Sequence, residues 1–125
     1  MKLRNLRMAI IGLAAVSLDD GRKRWSTPHP PCGDWKNCSP VQAAAVRAIP
    51  GIVFSGSNDG HLRAYSTADG MIVWDYDTAH EFTTVNGVKA NGGPAVAGGL
   101  LFTNSGYSHH SGILPGNVLL AFAVE

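Results

Sequence analysis

Charge is scarce in this sequence. Of 125 residues 15% are charged, ten basic against nine acidic, for a formal net charge of +1. That balance gives no case for nucleic acid, and no basic cluster is interleaved with aromatics. Cysteine is scarcer still, with two residues, and neither sits in the Cys-x-x-Cys-His spacing that attaches a c-type haem. No apolar run reaches the roughly 18 residues that a membrane span requires. Gly-x-Ser-x-Gly, P-loop and His-Glu-x-x-His motifs are absent too.

What remains is 45% hydrophobic, with 15 glycines and 7 prolines. That composition excludes disorder and favours many short strands with frequent turns over a helical bundle. The length suits one domain, burying roughly two-thirds of its unfolded surface. Gly51 to Trp74 shows the grammar most clearly. Ile52 to Ser57 is rich in β-branched and aromatic residues, and Asn58-Asp59-Gly60 supplies turn chemistry. Leu62 to Ser66 follows, Ala68-Asp69-Gly70 turns the chain again, and Met71 to Trp74 closes the unit.

This unit recurs. Leu13, Ala15, Ser17, Asp20, Gly21 and Trp25 match Leu62, Ala64, Ser66, Asp69, Gly70 and Trp74 at an offset of 49. Gly51 to Ser57 lies over Gly99 to Ser105 at an offset of 48. A period of that size with about four strands per unit is that of a β-propeller blade. The expectation is an all-β, partial β-propeller of about two to two and a half four-stranded antiparallel blades. Residues 13–26 end one blade, 43–76 form a full one whose innermost strand is Ala43 to Ala48, and 94–125 begin the last. Residues 1–12 form an N-terminal segment. Lys2, Arg4 and Arg7 ahead of Met8 to Val16 also have the look of a secretory signal, but the repeat claims Leu13 to Ser17 as a strand. A ring needs about four to eight blades, so the chain's partners are expected to be the remaining blades or other copies of itself.

Trp25 and Trp74 each close an outer strand after an Asp-Gly turn. An indole there can wedge between blades with its N–H free to find a carbonyl; the alternative is a core tryptophan within its own blade. Cys32 and Cys38 bracket Gly-Asp-Trp-Lys-Asn, and a disulfide is expected in preference to free thiols or to a metal site with His29. It would indicate an oxidising compartment. Asp59 reads as an Asx-turn former before a general base, and His61 as a satisfied, partly buried histidine. His109 and His110, adjacent in sequence, would point to opposite sides of an extended strand and could not share a metal.

The pattern Ala-x-x-x-x-Asp-Gly-x-x-x-Trp resembles the tryptophan-docking repeat of pyrroloquinoline-quinone propellers. Ile49 to Tyr65, Val73 to Thr78 leading to Thr84-Val-Asn-Gly-Val88, and Asn104 to Tyr107 leading to Pro115-Gly-Asn-Val-Leu-Leu-Ala-Phe122 resemble the C-terminal end of polyvinyl-alcohol dehydrogenases. The resemblance implies a periplasmic or secreted quinoprotein that oxidises alcohol groups with pyrroloquinoline quinone and calcium, passing electrons to a cytochrome c. Asn86, Lys89 and Asn91 offer a cation and amides suited to a tricarboxylate quinone, with a solvated loop of Asn-Gly turns as the alternative. With most blades missing, the chain by itself is expected to be catalytically incomplete. The same repeat also resembles non-catalytic assembly lipoproteins of the outer membrane, so the fold alone does not choose between enzyme and binding scaffold.

Overall fold

The computed structural model describes residues 11–32, 40–42, 44–78, 93–106 and 117–124. Among them every regular element is a strand, and all pairings are antiparallel between sequence neighbours. Gly12–Val16 (β1) and Lys23–Pro28 (β2) form a two-stranded sheet. Arg47–Ile49 (β3), Ile52–Gly56 (β4), His61–Ser66 (β5) and Ile72–Asp77 (β6) form a four-stranded meander. Ala95–Ala97 (β7), Leu100–Gly106 (β8) and Asn117–Ala123 (β9) form a third sheet of three strands. This is an all-β partial propeller, with the four-stranded sheet as its middle blade.

The repeat is reproduced down to an irregularity. The β1–β2 register shifts between Ala15 and Val16, and the β5–β6 register shifts between Ala64 and Tyr65, the positions related by the offset of 49. Two strands differ from the sequence expectation. The inner strand is Arg47–Ile49 rather than Ala43 to Ala48, because Ile49 pairs with Ile52 across a two-residue turn. Pro50 fixes its own φ near −65° and Gly51 takes φ 83°, as a type II turn requires. The outer strand continues past Trp74 to Asp77. Its two aspartates are tolerated there because Asp75 lies opposite Arg63 and Asp77 opposite His61.

The core follows from β5, which is covered on both faces. Leu62 and Tyr65 are almost wholly buried, and Val53, Ala64 and Leu101 are buried with them. Side chains alternate across a strand, so the middle blade has two distinct faces. Phe54, Ala64 and Trp74 lie in one cross-strand row, on the side that meets the third sheet. Ser55, Arg63 and Asp75 lie in the other, toward the first.

The two boundaries are joined differently. Trp25 Nε1 donates to Thr67 O at 2.9 Å and Thr27 Oγ1 to Gly70 O at 2.6 Å, tying β2 to the β5–β6 turn. On the other side Phe122 sits edge-on to Trp74 and Tyr76, with ring centroids 5.1 and 4.9 Å away. The innermost segments come close: a Cβ on Gly93 would stand 2.3 Å from Ala45 O, so only glycine fits that approach.

Candidate functional site

The β4–β5 turn, the end of β6 and the segment after β2 converge on one rim of the middle blade. Asn58 N–H donates to Val41 O at 2.8 Å, and the Thr78 N–H and hydroxyl both donate to Gly60 O, at 3.2 and 2.6 Å. A cavity of about 350 Å³ opens there, lined by Asp59, His61, Arg63, Asp75 and Asp77 from the middle blade. Pro30, Pro31 and Cys32 close its other side.

Arg63 is the hub. It is 2% exposed, a position that a guanidinium occupies only when its donors are all used. Its Nη2 donates to Asp59 Oδ2 at 2.6 Å, Nε to Asp75 Oδ2 at 2.9 Å and Nη1 to Ser57 Oγ at 2.9 Å. The Ser57 hydroxyl in turn donates to Asp59 Oδ1. Burial alone would push the Asp59 carboxyl up, but hydrogen bonds from Arg63, Ser57 and the His61 N–H outweigh it and hold the group below its ordinary value. Burial likewise disfavours the Arg63 cation, and Asp59 with Asp75 more than restores it. Next to this network burial raises the Tyr65 phenol, whose oxygen accepts from Gln42 Nε2 at 3.0 Å, against the opposing pull of Arg63 and Gln42.

His29 joins the network from the first sheet. Its side chain is 1% exposed, with Nε2 3.5 Å from Asp59 Oδ2 and 3.3 Å from Arg63 Nη1. Nδ1 lies 2.5 Å from Pro30 O. The tautomer protonated at Nδ1 donates to that carbonyl and leaves Nε2 to accept from Arg63. On the open side His61 Nδ1 is 2.6 Å from Asp75 Oδ1, and Nε2 is 3.8 Å from Asp77 Oδ2.

Asp59 does form the Asx turn, accepting from His61 N–H at 3.0 Å, and it does more: it is the buried counter-ion of Arg63. Sequence reading alone did not isolate Arg63. Turn spacing does not reveal it: Tyr65 pairs with Ile72, and an unbroken register from there would set Arg63 opposite Trp74, whereas the bulge between Ala64 and Tyr65 brings Asp75 opposite Arg63 and Asp77 opposite His61. Asn86, Lys89, Asn91, His109, His110 and Cys38 lie outside the described residues.

The described rim does not fit a tricarboxylate quinone. Its guanidinium is committed to two carboxylates, and three aspartates line the cavity against that one cation. The two buried polar atoms without a partner among the described residues, Gln42 Oε1 and Asn58 Oδ1, are both acceptors. Among the described residues no group of three or more His, Cys, Asp or Glu is placed to hold a metal ion. What the arrangement offers chemically is hydrogen-bond acceptors and negative potential at its mouth.

Against known proteins, residues 6–122 match the family model described as outer membrane protein assembly factor BamB. Two curated relatives are similar over 91% of the chain. A polyvinylalcohol dehydrogenase of Pseudomonas sp. is 43% identical over 132 residues, and one of Sphingopyxis sp. is 38% identical over 134. The chain spans 20% of the length of each. No helix among the described residues is long and apolar enough to cross a membrane. With the repeat, the meander and its bulge already in view, the match over nearly the whole chain establishes that this protein belongs to the BamB-like pyrroloquinoline-quinone-repeat propellers.

Proposed function

We propose that this chain supplies blades, at about residues 13–26, 43–76 and 94–125, to a pyrroloquinoline-quinone-dependent alcohol dehydrogenase of the polyvinyl-alcohol type. The observation that carries the reading is the 43% and 38% identity over 91% of the chain, well beyond what a shared repeat demands. Exposed apolar side chains support further protein around these blades. Val73 in β6 is 54%, Leu119 in β9 72% and Val124 just after β9 95% exposed. In this reading the complete protein works in the periplasm with quinone and calcium and passes electrons from alcohol groups to a cytochrome c. The quinone site is built mainly from segments other than the described rim, with Asn86, Lys89 and Asn91 as this chain's contribution. The chain by itself is inactive. In this reading Cys32 and Cys38 are joined in a disulfide, in keeping with an oxidising compartment.

The test is a titration of the purified chain and of a longer protein containing it with quinone and calcium, read by tryptophan fluorescence and by alcohol-dependent reduction of cytochrome c. Activity in the longer protein only is the expected result; a longer protein that binds no quinone sinks the proposal. A second reading, a non-catalytic binding scaffold, is favoured by the family model's description and by the poor fit of the described rim to the quinone. It predicts no quinone response in either protein. Mass analysis with and without reductant tests the disulfide, and two free thiols in oxidised material would exclude it.

A further inference from the structure

The chain carries three Asp-Gly pairs, Asp20-Gly21, Asp59-Gly60 and Asp69-Gly70, and this dipeptide has a reaction of its own. The nitrogen that follows the aspartate can attack the side-chain carboxyl; a C–N bond forms, and the carboxyl hydroxyl leaves with the amide hydrogen as water. Water then reopens the cyclic imide. Attack at the backbone carbonyl breaks its bond to nitrogen and leaves the chain running through the side-chain carbon, an isoaspartyl link. No oxidant or cofactor enters, and glycine, with no Cβ, offers the attack little hindrance. In a closed turn the carboxyl is held by hydrogen bonds and cannot swing onto that nitrogen, so the rate follows how easily the turn opens.

The three pairs differ in what holds them shut. Asp59 is 8% exposed, its oxygens held by Arg63, Ser57 and the His61 N–H. The other two sit in matching turns. Ser66 N–H donates to Met71 O at 2.8 Å and Gly70 N–H to Ser66 O at 2.9 Å, as Ser17 N–H does to Arg22 O at 2.9 Å and Gly21 N–H to Ser17 O at 3.0 Å. Ala68 N–H and Asp19 N–H each donate to the serine Oγ at 3.3 Å, and Met71 N–H and Arg22 N–H each to the aspartate Oδ1 at 3.0 Å. Only the cover distinguishes them. Trp25 Nε1 is bonded to Thr67 O and Thr27 Oγ1 to Gly70 O, and a Cβ on Gly70 would stand 2.5 Å from the indole. Over the first turn nothing described lies within 4 Å of a Cβ on Gly21, and Leu18 is fully exposed. We propose that Asp20 is a modification site, converted to isoaspartate through the Gly21 nitrogen, and that the Trp25 indole shields the same chemistry at Asp69. Opening the first turn breaks only solvent-facing bonds, whereas opening the second also breaks those to Trp25 and Thr27. The product adds one carbon to the main chain in the turn ahead of β2, the strand that carries Trp25. The inference goes beyond the proposed function and depends on neither quinone nor further blades, so either can fail alone.

The purified chain is aged in warm, mildly acidic buffer, digested and mapped peptide by peptide. Isoaspartate is quantified by an isoaspartyl methyltransferase with labelled S-adenosylmethionine and located by electron-transfer fragmentation. Mapping by peptide separates the Asn-Gly pairs at 86–87 and 91–92, which form the same link by losing ammonia. The expected result is isoaspartate at Asp20 at least tenfold faster than at Asp69, with none at Asp59. In concentrated urea the three rates should converge to within a few-fold, since the local sequences are alike. Trp25→Ala should raise the rate at Asp69 toward that at Asp20 while Asp59 stays unreacted, which reports that the middle blade is still folded. Equal rates at Asp20 and Asp69 in the folded chain, no product at Asp20 while the urea-treated chain forms it, or an order that persists in urea would each overturn the proposal. So would an unchanged rate at Asp69 in Trp25→Ala.

Discussion

The two faces of the middle blade are held by opposite chemistry. Toward the first sheet the contacts are directional and charged: the Trp25 and Thr27 hydrogen bonds, and Arg63 between Asp59, Asp75 and His29. Toward the third sheet they are aromatic and apolar, Trp74 and Tyr76 against Phe122, and they leave an open groove of about 490 Å³. One repeat unit, with a tryptophan at the same position in its first two copies, therefore does not impose one kind of interface. Directional bonds specify how β2 sits on its neighbour at a large desolvation cost. The aromatic face contributes area with less constraint on register, as expected of a surface that other parts of a longer protein would complete.

The sharpest way to break this contrast is to remove its hub. Arg63→Met leaves Asp59 buried without its cation, and the expected loss is about 3–5 kcal/mol in denaturant unfolding. The double variant Arg63→Met with Asp59→Asn should recover part of that loss. On the opposite face Phe122→Ala is expected to cost about 2 kcal/mol, less than for a fully buried ring because Phe122 is half-buried. Trp25→Phe keeps the ring and deletes the N–H bond to Thr67, for a loss of about 1 kcal/mol in the same assay.

Acid gives the smallest effect and separates the faces without altering the charged network. Asp59 is held below its ordinary value of 3.8. Its contribution is therefore complete above that pH and fades as pH falls through the lowered folded value. Tryptophan fluorescence of a Trp35→Phe, Trp74→Phe variant, whose one tryptophan is Trp25, should begin to change below about pH 4. The complementary Trp25→Phe, Trp35→Phe variant, whose one tryptophan is Trp74 among uncharged rings, should change less. Equal acid responses would show that the charged network does not hold the first boundary.

Much of the molecule was legible in the chain. The meander, the offset of 49 and the turn residues all follow from local chemistry, because alternation and Asp-Gly turns act within a few residues. Alanines carry little strand signal, so composition alone starts the inner strand too early, whereas Ile49, Pro50 and Gly51 set the turn. Asp75 and Asp77 fell outside the expected strand because carboxylates argue against one until their partners are known. The part played by His29 was not legible at all, since 34 residues separate it from Arg63.

By itself, then, the sequence determined the strands, the turns, their recurrence and the family. Only the tertiary structure decided which side chains became a buried ion network and which an aromatic seam. The reason is physical. Whether a guanidinium is a surface charge or a buried hub depends on what closes over it, and here that cover comes from a different sheet. The same holds for the two Asp-Gly turns, alike in every local bond and distinguished by the presence of an indole above one of them.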